Sequence, residues 1–165
     1  ELFPNRTIHV PQLTASQFRE ISTIRCNLEG LATERAVSLM SEASIRKIVK
    51  INDSFNKEMA KPAPDGSRII NKNNTLHFEV YRCADMPILL TMIERLWLRV
   101  GPIINHDLRV SLNRKRGSDA TLYHDRLIEA LQNRDCDAAR DAILGDIRSA
   151  ADYIVSAGTL VVADA

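Results

Sequence analysis

The side chains best able to do chemistry are two imidazoles, a carboxylate and an amide: His77, His124, Asp146 and Asn73. Each falls on an apolar stripe when its neighbours are laid out at helical spacing, where residues three and four apart share a face. Ile70, Asn73, His77, Val80 and Ala84 share one such face. Ala120, His124, Leu127, Ile128 and Leu131 form a second, and Ala139, Ala142, Ile143, Asp146, Ala150 and Ile154 a third. A fourth face, Ile21, Arg25, Leu28 and Ala32, carries a guanidinium. Burying a charge is costly unless it is paired or bound to a metal. Imidazole nitrogen with carboxylate and amide oxygen suits a borderline divalent metal. Asn73 and His77, four apart, can offer both side chains to one ion.

For any one of these residues a simpler reading exists. A lone inward histidine is more often a hydrogen-bonded core residue, and Asp146 can pair with Arg25. The coincidence over four helices puts a shared metal or ligand pocket on level terms with that reading. His9 and His106 fall in or near loops and read as solvated. Arg99, beside the apolar stripe of the fourth helix, reads more simply as a surface charge than as a pocket residue. Arg114, Lys115 and Arg116 read as a solvated turn.

The elements that must position these groups are helical almost throughout. Thr14, followed three residues on by Gln17, has the spacing of a capping box. It opens a helix over about 15–39, with Phe18, Ile21, Leu28, Leu31, Ala32 and Leu39 as its stripe. A second helix spans about 41–60 on Ile45, Ile48, Val49, Ile51, Phe55 and Met59, and stops at "KPAPDG". A third covers about 66–84 on Ile69, Ile70, Leu76, Val80 and Tyr81. Pro87 suits the start of a fourth, over about 87–112, with Leu89, Met92, Ile93, Leu96, Val100 and Ile103 inward and a kink at Pro102. The fifth, over about 119–133 with Asp119 as cap, and the sixth, over about 135–156 with Gly158 as stop, join at a tight turn around Arg134-Asp135. Strand-like alternation occurs only in the "TLVV" of the tail. The fold class is all-α, an antiparallel bundle of six to seven helices.

Bulk properties narrow the function. The 165 residues make one domain, large enough for a core without staples. Lys+Arg at 22 against Asp+Glu at 21 leaves a net charge of +1, which gives no nucleic-acid surface on this chain. Aromatics at 5% argue against base-stacking platforms. Three spaced cysteines, Cys26, Cys83 and Cys136, make neither a disulfide framework nor a cysteine metal site, which fits a cytoplasmic setting. No apolar run approaches the roughly 18 residues of a membrane span. "ELFPNRTIHVPQL" reads as a linker, so residues 1–12 are expected to lead from an upstream domain, 13–157 to form the helical domain, and 158–165 a tail.

Several of these segments resemble one family. "YHDRLIEALQNRDCDAARDAILGDI" is similar to the closing segment of the FCD domain, the effector-binding domain of the FadR subgroup of GntR transcription regulators. His124 stands at the family's His, after Tyr123 rather than Glu, and Asp146 stands where the last His is usual. "NNTLHFEVYRCADMP" resembles the family's Asp-x-x-Phe-His segment and the Pro that follows it. His77 and Pro87 match, while Asn73 replaces the metal-binding Asp and Met86 an Asn. "IRCNLEGLATERA" resembles the Arg-x-x-x-Glu of the opening helix, at Arg25 and Glu29.

The resemblance spans about residues 13–156. It implies a homodimer, and a divalent transition metal (zinc, nickel or manganese) held by His77, His124, Asp146 and Asn73. It further implies a small carboxylate effector meeting Arg25 and Arg99, and operator DNA bound by an N-terminal winged helix outside this sequence. Because two of the four ligands are changed, the metal geometry is expected to differ from the usual one. A metal-free branch of the family also exists. Two rival functions are a metal-free helical ligand-binding or interaction domain, in which Asp146 pairs with Arg25, and a metal-dependent hydrolase. The hydrolase needs a general base, and the spacing offers no extra inward Glu or Asp beside the histidines. The expectation is therefore a sensor, not an enzyme, and the sensor reading requires the two imidazoles to lie close together.

Overall fold

In a computed structural model of the chain, residues 13–113, 119–158 and 160 are described. They form six helices: α1 (Ala15–Leu39), α2 (Glu42–Met59), α3 (Gly66–Arg82), α4 (Pro87–Asn113), α5 (Ala120–Asn133) and α6 (Cys136–Ser156). No strand occurs among the described residues. Most of the "TLVV" segment and residues 1–12 and 114–118 lie outside them.

Local chemistry sets the helix ends. The Thr14 hydroxyl accepts from Gln17 N at 3.2 Å while Gln17 Oε1 accepts from Thr14 N at 3.1 Å, a complete capping box. Ser41, Asp65 and Asp135 cap α2, α3 and α6 through their side chains. Pro87 occupies the first turn of α4, where its missing N–H costs nothing. Gly158, at φ 67°, follows the end of α6 as expected. Asp119 is a correction. It precedes α5 but makes no side-chain cap; its Oδ2 instead accepts from Ser149 Oγ of α6 at 2.9 Å.

The turn at Arg134-Asp135 also fastens the bundle. Arg134 takes a left-handed backbone (φ 56°). Its guanidinium donates to the carbonyls of Val37 and Met40 at the end of α1, and to Glu42 at the start of α2. Those carbonyls have no partner inside the helix, so the α5–α6 turn serves as the C-terminal cap of α1.

Helix α1 packs against α6, α4 and α3, with α2 closing on α3 and α5. The apolar core divides into two clusters. The larger includes Val37, Ile48, Leu76, Ile93, Leu131 and Ile143. The smaller includes Leu13, Phe18, Ile21, Val100, Ala151 and Ile154. On α1 the chain passes from one cluster to the other across Ser22 and Arg25, and on α6 between Ile147 and Ala151, one residue past Asp146. Polar side chains of α1, Ser22 and Arg25, therefore lie where the two meet.

Three stripe residues are corrections. Leu31 and Leu39 of α1 and Met92 of α4 are exposed. The buried face of α1 is instead populated by Ser22, Arg25, Cys26, Glu29, Gly30 and Thr33, so its polarity hides its direction.

Candidate functional site

His77 (α3) and His124 (α5) are both 1% exposed, and their Nε2 atoms lie 3.3 Å apart. Asp146 (α6) reaches the same point, its Oδ2 3.2 Å from His77 Nε2. Ligand atoms of all three fall within 4.8 Å of one another. Donors bound at about 2.1 Å to one ion and separated by 90–110° lie roughly 2.9–3.4 Å apart, which matches the two measured separations. Helix α3 delivers His77 from a buried face it shares with Leu76, Val80 and Tyr81. His124 enters from α5 against the ring of Phe55, 4.7 Å between centroids.

Proton bookkeeping leaves this point short of one positive charge. Tyr81 has one hydroxyl proton, and its Oη lies 2.6 Å from Glu29 Oε2. Glu29 is 0% exposed and its Oε1 already accepts from Arg25 Nε at 2.6 Å. Tyr81 therefore donates to Glu29, and its oxygen accepts from His77 Nδ1, 3.0 Å away. With Nδ1 protonated, a neutral His77 presents a bare Nε2 to the carboxylate of Asp146. Two acceptors facing each other at 3.2 Å need a second proton or a cation between them. His124 cannot supply one to every contact: it has one proton when neutral, and its buried Nδ1 has no hydrogen-bond partner among the described residues.

The electrostatics agree. Burial pushes the His124 imidazole down to about 4, against the pull of Asp146, so it is a neutral lone-pair donor at neutral pH. Burial alone would raise Asp146, but a proton held between it and His77 Nε2, with Arg25 nearby, keeps it below the usual carboxylate value. Burial would lower Arg25, yet Glu29, with Tyr81 and Asp146 behind it, holds the guanidinium above its ordinary value. Burial, then Glu29, pushes the Tyr81 phenol well up, so it stays a proton donor.

A cavity of about 620 Å³ opens beside this cluster, walled by Arg25, Asn73, Trp97, Tyr123, Asp146 and Tyr153 among others. Arg25 is fixed in its wall. Nε and Nη2 donate to Glu29 at 2.6 and 3.3 Å, and the guanidinium carbon sits 4.6 Å from the Trp97 ring centroid. No hydrogen bond to Nη1 occurs among the described residues, so it remains for an anion in the cavity.

The structure thus gathers His77, His124 and Asp146 at one point, with Arg25 and Asn73 in the adjoining wall. Arg99 is exposed on α4 and does not border the cavity, so the effector contact expected of it is not supported there. His106 is exposed, as expected, and His9 lies outside the described residues. The alternative pairing of Asp146 with Arg25 is corrected: Arg25 pairs with Glu29, and Asp146 with His77.

Two residues gain roles that the sequence reading does not give them. Glu29, matched only as part of the Arg-x-x-x-Glu motif, is an inward carboxylate near His77, but Arg25 and Tyr81 already occupy its oxygens, so it is not a free base. Tyr81 was counted as apolar stripe. The signal available for both was spacing, since Glu29 follows Arg25, and Tyr81 follows His77, by one helical turn.

Comparison with known proteins gives the class. Residues 20–149 match the FCD domain family. The chain belongs to that family, whose members occur in GntR-type transcription regulators. It is similar to HTH-type transcriptional regulator McbR of Escherichia coli (strain K12), with 29% identity over 140 residues that make up 85% of this chain and 62% of the relative. The chain therefore spans about three fifths of that protein's length. A solved structure of E. coli McbR/YncC superposes with a TM-score of 0.83 at 24% identity, covering 94% of this chain and 76% of that one, which places the fold. Among the described residues, no helix is long and apolar enough to cross a membrane.

Proposed function

We propose that this chain is the effector-sensing domain of a bacterial, cytoplasmic GntR-family regulator that works as a homodimer. It would bind operator DNA through an attached N-terminal winged helix, in keeping with the name of its E. coli relative. His77 Nε2, His124 Nε2 and Asp146 Oδ2 hold a divalent transition metal, zinc, nickel or manganese, with Asn73 as a neutral oxygen donor completing the protein's set. The metal, when bound, supplies a positive charge and open coordination positions for a carboxylate. Arg25 binds the same carboxylate through Nη1. Glu29 and Tyr81 act behind the site. They fix the His77 tautomer and anchor Arg25, so that both groups stand ready before the ligand enters.

The observation that carries this reading is the convergence of the three donor atoms beside a cavity bordered by Arg25. Signalling follows from position. The donors come from α3, α5 and α6 and the guanidinium from α1, so a ligand joining them favours one packing of these helices. In a dimer, that choice changes the spacing of two winged helices on DNA. Glu29, the inward carboxylate nearest the histidines, already accepts from Arg25 and Tyr81, which favours sensing over catalysis.

A thermal-shift series tests the reading. Zinc, nickel or manganese should raise the melting temperature, and a carboxylate should raise it further only when metal is present. No response to any of the three metals would overturn it.

A further inference from the structure

The wall of the cavity says what kind of acid fits, provided the sensor reading above holds. The chain has one tryptophan and three tyrosines. The tryptophan, Trp97, and two of the tyrosines, Tyr123 and Tyr153, line this one cavity; Tyr81 is occupied behind His77. Ile104, Ile147 and Ile154 fill much of the space between them.

Tyr123 is placed by design of the backbone. A Cβ at Gly145 would come within 2.3 Å of the Tyr123 ring, so only glycine lets the ring lie on α6, one residue before Asp146. The Arg126 guanidinium, 5.7 Å from the ring centroid, holds it further.

Charge along the cavity is uneven. Arg25, the buried cation, stands at the inner end beside Asp146 and the histidines. The exposed charged groups of the lining, among the described residues, are Asp119, Asp152 and Arg148, two carboxylates to one guanidinium. With a metal on His77, His124 and Asp146, one carboxylate of a diacid would be attracted at the inner end, while the other would meet the excess of Asp119 and Asp152 over Arg148. An effector with one carboxylate and an uncharged ring would meet Arg25 at its head and aromatic and aliphatic walls along its body.

We propose that the effector is an aromatic monocarboxylate, read by Arg25 at the carboxylate and by Trp97, Tyr123 and Tyr153 at the ring. The cavity's volume of about 620 Å³ is ample for a substituted ring. Aromatic pairs prefer offset or edge-on contact and add selectivity beyond burial, so the rings discriminate where the carboxylate alone does not.

The single tryptophan provides the probe. The whole chain, loaded with whichever of the three metals raises its melting temperature most, is titrated with benzoate, phenylacetate, succinate and glutarate while Trp97 fluorescence is followed. Benzoate or phenylacetate should bind at least about tenfold more tightly than either diacid. Tyr123→Leu and Tyr153→Leu, each checked for an unchanged helical spectrum, should each weaken the aromatic acid by about three- to tenfold and leave the diacids unaffected. Diacids binding as well as the aromatic acids would overturn the inference and leave the sensor reading intact. An aromatic preference that survives both leucine variants would overturn the assignment of the rings. If the metal-loaded protein binds none of the four acids, the inference falls together with the sensor reading.

Discussion

The Nε2 atoms of His77 and His124, 47 residues apart in sequence, meet at 3.3 Å inside the larger apolar cluster. A helical bundle gains nothing in packing from that meeting. Burying two imidazoles and a carboxylate stabilises the fold less than leucines of the same volume would. The cluster fits the metal site proposed above, and its support is as ordered as the cluster itself: Arg25 to Glu29, Glu29 to Tyr81, Tyr81 to His77.

Tyr81→Phe removes one oxygen from the middle of that chain. His77 Nδ1–H loses its acceptor and Glu29 one of its donors. Metal affinity should fall by about 10- to 100-fold, the usual cost of losing a partner behind a ligating histidine. Isothermal titration with zinc, alongside denaturant unfolding, separates this loss from any loss of stability. Unchanged metal affinity would show that the tautomer is set some other way.

Glu29→Ala strands Arg25, which is 4% exposed, without its carboxylate. Breaking a buried pair from one side costs about 3–5 kcal/mol, and urea unfolding should show a loss of that order. The double variant Arg25→Met with Glu29→Leu should recover much of it, because no lone charge remains. A double variant as unstable as Glu29→Ala would mean that the pair itself carries stability.

Gly145→Ala places a methyl where the Tyr123 ring lies. The backbone cannot yield, so the ring must move, at a cost of about 1–3 kcal/mol. Adding Tyr123→Ala should remove most of that penalty. A double-mutant cycle reads the coupling, and strict additivity would contradict the close packing.

Acid should destabilise the metal-free protein in a defined window. His124 titrates at about 4 in the folded chain against 6.5 when free. Above 6.5 it is neutral in both states and no charging cost arises. As pH falls from 6.5 towards 4 the unfolded chain takes up the proton and the folded one does not, so stability is lost progressively, on the order of 3 kcal/mol in full. Asp146, whose folded value lies below 3.8, adds its own loss only at lower pH. Unfolding free energy measured across this window should therefore fall less steeply in His124→Leu than in the natural sequence. Equal slopes would place the titration elsewhere.

Much of this architecture was legible in the residues. Helix ends were, because Thr14-Gln17, Pro87, the Arg134-Asp135 turn and Gly158 are local signals with local causes. The inward direction of His77, His124 and Asp146 was, because each interrupts a clean apolar stripe. The inward face of α1 was not, since Glu29, Thr33 and Ser22 sit in the core while Leu31 and Leu39 face outward. There a polar network replaces the apolar contrast on which periodicity depends. Partners were the least legible feature. Arg25 had Asp146 or Glu29 available, and only the course of α6 relative to α1 decides between them. Asp119 had a cap to make and spends its carboxylate on Ser149 instead, a choice set by tertiary contact.

Metal content per chain, measured by elemental analysis after dialysis against zinc, nickel and manganese, tests the central claim most directly. The natural sequence should retain close to one equivalent of at least one metal, and His77→Ala should retain almost none while keeping its helical spectrum. Retention that is the same in both proteins, or absent from both, would contradict a metal held by His77, His124 and Asp146.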